Sequence, residues 1–144
     1  MNVYQQQARI FQALAHPVRL RILDILAQED EACVCHLTAV LNKRQPYVSQ
    51  QLAALREAGL VADRKDGLRV YYQLSDERVR DLLSIGMDIL RTQGIEVKFT
   101  PVPAVPLNGC TCPRCKLRRH TLANEPAAAV QQQAEVKIEV WHEQ

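Results

Sequence analysis

The stretch PYVSQQLAALREAGLV, residues 46–61, constrains the fold most. It opens on Pro46, which suits the first turn of a helix. Val48, Leu52 and Leu55 then recur at helical spacing. Gly59 stands where a helix C-terminus wants a residue free to take positive φ. A second apolar-periodic segment, residues 33–41 with Leu37, Val40 and Leu41 on its inner face, lies just upstream. Only residues 42–45 separate the two. Two short helices joined by so tight a turn form a helix-turn-helix.

The flanking segments extend this unit. Residues 3–15 read as a helix whose apolar stripe is Val3, Tyr4, Ile10, Phe11 and Leu14. His16-Pro17 breaks it, and a second helix follows with Val18, Ile22, Ile25 and Leu26 inward. Downstream, Leu60–Lys65 and Leu68–Leu74 are strand-like runs around Asp66-Gly67. That dipeptide is favoured in hairpins because both turn residues need φ > 0. Ser75 is positioned to cap a last helix over about 76–92. Its Val79, Leu82, Leu83, Ile85, Met87, Ile89 and Leu90 cover more than one face, an apolar surface best buried in a homodimer. The expected fold is mainly α with a small β-hairpin: a winged helix-turn-helix that dimerises through its first and last helices. Residues 1–94 form that domain, and residues 95–144 form a Pro-rich and Cys-rich C-terminal extension.

Composition excludes several classes. No run of 18 apolar residues is present, so no membrane span is expected. The N-terminus lacks the pattern of a secretory signal, and a cytoplasmic location is expected. Five cysteines there are expected to be thiols rather than structural disulfides. Their spacing (33, 35, 110, 112, 115) points to metal or redox chemistry. The formal net charge is only +2, but basic residues cluster at Lys43, Arg44, Arg64, Lys65 and Arg69 and again at Arg114, Lys116, Arg118 and Arg119. There is no phosphate loop, paired catalytic carboxylate or nucleophile–base motif, so an enzyme is not expected.

The segments LAHPVRLRILDIL (14–26), CVCHL (33–37), RQPYVSQQLAALREAGLV (44–61) and RKDGLRVYYQL (64–74), in this order, resemble the ArsR/SmtB family of metal-sensing winged-helix repressors. The resemblance covers roughly residues 8–92. It implies a repressor that binds an inverted repeat in operator DNA as a dimer and leaves it when a thiophilic ion binds. CVC resembles the metal-binding helix of the arsenic, cadmium and lead sensors, which makes Cd(II), Pb(II), Zn(II) and As(III) the candidate effectors. The arsenic-sensor pattern CVCxLC ends here in Thr38, and His36 replaces a usual Asp. Residues 1–32 contain no cysteine, and the last helix contains no His.

For DNA, Gln45, Tyr47, Ser49 and Gln50 lie off the apolar face of the fourth helix, where side chains reach base edges and phosphates. Arg64, Lys65 and Arg69 in the wing are candidates for phosphate or the minor groove. Two such helices in a dimer would meet half-sites about 34 Å apart.

For the ion, Cys33 and Cys35 on a regular helix point about 200° apart, a poor chelate. Cys33 and His36, at i and i+3, share a face, so His36 is a further candidate ligand. Binding is therefore expected to distort the start of the third helix and shift the angle of the fourth. Two arrangements supply the missing donors. In one, Cys33 and Cys35 are joined by one or two of Cys110, Cys112 and Cys115. In the other, the tail holds its own structural zinc through Cys110, Cys112, Cys115 and His120. A thiol redox or persulfide-sensing repressor on the same fold is the alternative function.

Overall fold

The computed structural model describes residues 1–98 and 100–102. Among these the elements follow in the order α1 (Val3–Leu14), α2 (Pro17–Glu29), β1 (Ala32–Cys33), α3 (Val34–Leu41), α4 (Gln45–Glu57), β2 (Val61–Asp66), β3 (Arg69–Leu74) and α5 (Arg78–Thr92). Every expected helix is present. The wing, however, is a three-stranded antiparallel sheet in the order β1-β3-β2, not a simple hairpin. The added strand is only two residues long, paired as Ala32↔Tyr72 and Cys33↔Tyr71. So short a strand carries no alternation to read, which is why the sequence concealed it.

The core lies where α2 meets α3 and α4. Ile22, Leu23, Ile25 and Leu26 of α2, Leu37 of α3, and Val48, Leu52 and Leu55 of α4 are all fully buried. Leu60 and Val61 close the cluster beside the wing, and Val79 closes it from α5. A helix as short as α4 is marginal in water on its own, so this buried stripe is what holds it folded. The angle at which α4 leaves the domain is therefore fixed by packing.

Local chemistry ends the elements. Asn2 and Gln5 form a reciprocal capping box at the start of α1, with both backbone-to-side-chain bonds at 2.9 Å. Asn42 takes the left-handed conformation that stops α3. Gly59 does the same after α4, with φ 75°. The hairpin turn sits one residue later than the sequence suggested. Asp66 belongs to β2 and pairs with Arg69, so Gly67 and Leu68 are the turn residues. Only Gly67 of the two has positive φ, at 60°. A turn with glycine at its first central position requires just that. Leu68 is left fully exposed.

The start of α5 also differs from expectation. Ser75 donates its backbone N–H to Leu60 O at 3.1 Å, the N-cap is Glu77 without a side-chain cap bond, and Asp76 just before it holds the first residue of the helix. Its Oδ1 accepts from the Arg78 backbone N–H at 2.8 Å and from Arg78 Nε at 2.9 Å. These bonds, the side-chain one first, lower the Asp76 pKa from its ordinary 3.8 to about 2. Along α5, Val79 is buried and Leu83 is packed on the core, while Leu82, Ile85, Met87, Ile89 and Leu90 stay exposed. Val3, Tyr4 and Phe11 of α1 are exposed as well.

Past α5 the chain returns to α2. Arg21 Nη1 donates to Thr100 O at 2.8 Å, and Gln28 Nε2 donates to the same oxygen at 3.3 Å. Gln28 Oε1 accepts from Val102 N at 3.0 Å, and Val102 packs on the core. Asp24 orients both donors, accepting from Arg21 at 2.6 Å and from Gln28 at 3.0 Å. Residues 100–102 thus form a strap across the outer face of α2.

Two outcomes follow from this packing. Truncating Leu55 to alanine should cost about 3 kcal/mol of unfolding free energy, as read from urea denaturation. A loss below about 1 kcal/mol would show that α4 is not held by this stripe. Because the folded-state pKa of Asp76 is depressed, its contribution is present above pH 3.8 and disappears as pH falls toward about 2. Thermal melts across that window should therefore flatten slightly in Asp76→Asn. The difference should shrink in high salt because the pair is at the surface.

Candidate DNA interface and thiol site

The N-terminal half of α4 is the exposed end of the helix-turn-helix. Gln45, Ser49 and Gln50 are solvent-exposed, and Tyr47 is half-buried and packs against the core. Arg44, Pro46, Tyr47, Ser49 and Gln50 line one open depression. Lys43 sits over the Tyr47 ring at 5.8 Å from its centre. It holds a cation beside the ring face. The N-cap Arg44 makes no side-chain cap bond, which leaves the helix start without the usual capping oxygen. Of the α4 residues expected from the sequence, Tyr47, Ser49 and Gln50 therefore share one surface, with Arg44 added to them, and Gln45 lies outside that lining.

The wing cations divide into two kinds. Lys65 is exposed and forms no salt bridge among the described residues. Arg64 and Arg69 are instead engaged by the protein. Arg64 donates Nη2 to one carboxylate oxygen of Glu31 at 2.7 Å and Nε to the other at 3.2 Å. This is a bidentate, charge-assisted pair. That hydrogen bond raises the Arg64 pKa above its ordinary value. Its guanidinium also lies 4.9 Å from the centre of the Tyr71 ring, and Nη1 stands 3.7 Å from Asp66. Arg69 Nη1 reaches within 4.0 Å of Cys35 Sγ.

The thiols depart from the helical wheel. Cys33 lies outside α3: it is the second residue of β1 and the N-cap, with φ −79° and ψ 159°. Its Sγ accepts from the His36 backbone N–H at 3.3 Å. The sulfur thus does the work of a capping oxygen. Cys35 is inside the first turn of α3 and half-buried. Because Cys33 has extended backbone, the opposed directions that a regular helix would impose on the two side chains do not apply. Cys33, Tyr71 and Cys35 pack as one small cluster. His36 is buried, and it meets Cys33 through its backbone.

Thiolate sulfur is the donor that soft ions prefer, and two thiols in one cluster at a helix start fit such an ion in part. Among the described residues no group of three or more His, Cys, Asp or Glu is arranged to hold a metal. Cys110, Cys112, Cys115 and His120 lie outside the described residues. The sequence reading missed Glu31 and Tyr71. Both join the site only through the pairing of β1 with β3, for which so short a strand leaves no signal.

This is the architecture of a winged helix-turn-helix DNA-binding regulator. Residues 16–63 match the family described as bacterial regulatory protein, arsR family. An HTH-type transcriptional regulator of Methanocaldococcus jannaschii is 39% identical over 85 residues, which are 59% of this chain and 96% of the relative. The arsenic resistance transcriptional regulator ArsR1 of Pseudomonas putida is 47% identical over 68 residues, 47% of this chain and 53% of the relative. The chain thus spans about half the length of that protein. The solution structure of the homodimeric winged helix-turn-helix DNA-binding domain of Mb0332 from Mycobacterium bovis is similar at 31% identity and a TM-score of 0.58, covering 67% of this chain and 88% of that one. The chain belongs to the ArsR family of helix-turn-helix transcriptional regulators. It is a DNA-binding regulator and not an enzyme. No helix among the described residues is long and apolar enough to cross a membrane.

The two groups of candidate DNA residues should separate in solution. Replacing Ser49 and Gln50 together by alanine should abolish discrimination between specific and random duplexes, since base contacts carry that difference. Lys65→Gln should instead weaken both by a similar factor and lower the salt slope by about 0.9. Fluorescence anisotropy at several salt concentrations measures both, and unchanged discrimination in the double variant would remove α4 as the reader.

Proposed function

We propose that this regulator is a metal(loid)-responsive repressor: it holds an inverted-repeat operator as a dimer and releases it when a thiophilic ion binds cysteine thiolates. The observation that carries the reading is the clustering of Cys33 and Cys35 at the N-cap of α3, one short turn before α4. Cd(II), Pb(II), Zn(II) and As(III) all suit thiolate donors. The name of the Pseudomonas relative, an arsenic resistance regulator, supports an ion of this class. Cys33 and Cys35 supply two donors, and Cys110, Cys112 and Cys115 are the proposed source of the others.

The dimer is proposed to form through α1 and α5. Leu82, Ile85, Met87, Ile89 and Leu90 leave an apolar surface on α5, and Val3, Tyr4 and Phe11 leave one on α1. The homodimeric state of the Mycobacterium bovis domain supports a dimer. Energy for release is ample. A complete population switch takes about 5.5 kcal/mol of differential binding, whereas a structural thiolate zinc site supplies about 10–16 kcal/mol in total.

Competitive titration of the protein–operator complex with Cd(II), Pb(II), Zn(II) and As(III) tests the function. At least one ion should dissociate the complex at stoichiometric concentration. Cys33→Ser and Cys35→Ser should each keep operator affinity within about threefold and raise the ion needed by about tenfold or more, since each replaces a soft thiolate donor by a hydroxyl that thiophilic ions bind poorly. Release by oxidant or persulfide that is indifferent to chelator would replace the ion with thiol redox chemistry.

A further inference from the structure

The thiol cluster is built into the wing as closely as into the helix-turn-helix. Cys33 is the residue of β1 that pairs with Tyr71 of β3, and the two pack together in one buried cluster. Cys33 is only 3% exposed, so nothing the size of a metal ion reaches its Sγ without moving a neighbour. The backbone of Cys33 is fixed on one side by the β1–β3 pairing and on the other by α3. The buried Tyr71 side chain packs on Cys33, so its ring is a neighbour that an ion at Sγ has to displace, and a ring can change rotamer while its strand stays paired.

Tyr71 also carries a cation. Arg64 stacks on its ring at 4.9 Å and is hooked to Glu31, which lies two residues before Cys33 in the same segment. On the other thiol, the Arg69 guanidinium stands 4.0 Å from Cys35 Sγ. An ion bonded to that sulfur competes with the guanidinium for the space beside Sγ. Both wing arginines, the candidates for DNA phosphate expected from the sequence, therefore rest on the thiol cluster, Arg64 through Tyr71 and Arg69 through Cys35.

We propose that the wing is a second output of the thiol site: an ion bound at Cys33 and Cys35 swings Tyr71 aside, expels Arg69, and so removes Arg64 and Arg69 from their places on the DNA backbone. This rests on the ion-responsive reading above. It differs from a change in the angle of α4, which alters base contacts and leaves the phosphate count of the wing intact. Tyr71 and Glu31 are positioning residues in this scheme, and they act through Arg64.

The distinguishing measurement is the salt dependence of DNA binding by the full chain, with and without Cd²⁺, on a duplex selected for specific binding. Occupancy of Cys33 and Cys35 is read separately, as the part of the thiolate-to-cadmium charge-transfer absorbance that is lost when both are replaced by serine. In the wild-type protein, Cd²⁺ should lower the slope of log K against log salt by about 1.8, the loss of two phosphate contacts at about 0.9 each. In the double variant Arg64→Gln/Arg69→Gln the slope should start lower by that amount and fall no further with Cd²⁺. Both side chains lie at the protein surface or half-buried in the wing, so the variant keeps its core. Tyr71→Leu should still bind Cd²⁺, and its ion-free slope should already be lower by about 0.9 because Arg64 has lost its ring.

Cadmium that binds and weakens the complex with an unchanged slope would overturn the wing output and leave the ion-responsive function standing. An equal cadmium-induced fall in the double variant would overturn it in the same way. Cadmium-induced release of DNA that survives replacement of both Cys33 and Cys35 by serine would overturn the function and the wing output together.

Discussion

Val48, Leu52 and Leu55 of α4 have no exposed surface, and they are matched by Ile22, Leu26 and Leu37 from the two preceding helices. Everything the molecule presents to DNA depends on this stripe. Without that burial a helix of this length does not persist, and the polar residues on its far side have no fixed geometry. With it, the recognition surface becomes a rigid extension of the core. The wing is anchored on the same cluster through Leu60 and Val61, so reader and wing share one foundation. Arg56 of α4 and Asp63 of β2 add a surface pair at 3.4 Å between them.

The proposed sensing role has little freedom in where it can be placed on such a frame. Tight packing transmits a displacement only between groups in contact. The N-cap of α3 touches two outputs: it begins the helix that turns into α4, and its β1 pairing reaches the strand bearing Tyr71 and Arg69. Cys33 serves as cap acceptor, strand residue and candidate ligand at a single position.

Much of this is legible in the sequence, for a physical reason. Helices leave a period, and it marks the inward positions at Ile22, Leu37, Val48, Leu52 and Leu55. Gly59 and Gly67 are legible because positive φ selects glycine. What escapes are features without a period. So short a strand as β1 has none, so the third strand stays hidden, and with it the contacts of Glu31 with Arg64 and of Cys33 with Tyr71. A helical wheel opposes Cys33 to Cys35 only if Cys33 is helical, and it is not. The hairpin turn slips by one residue because Asp-Gly is compatible with more than one turn register, and only pairing settles which. The base-contact candidates are found by subtraction from the apolar face. Gln45, Ser49 and Gln50 are exposed, as that subtraction expects.

The strap at residues 100–102 has a consequence for whatever follows it in the chain. By fastening Val102 to Gln28 and Thr100 to Arg21, it moves the point of departure of the polypeptide from the tip of α5 to α2. From Val102 to Cys110 the contour is at most about 29 Å, and from Gln28 to Cys33 at most about 18 Å. A group tethered on that scale meets α2 and its neighbours as an intramolecular partner, at an effective concentration on the order of millimolar rather than at the concentration of the protein. The strap is in that sense a mooring: hydrogen bonds from two side chains of α2 decide where on the domain the rest of the chain is tied.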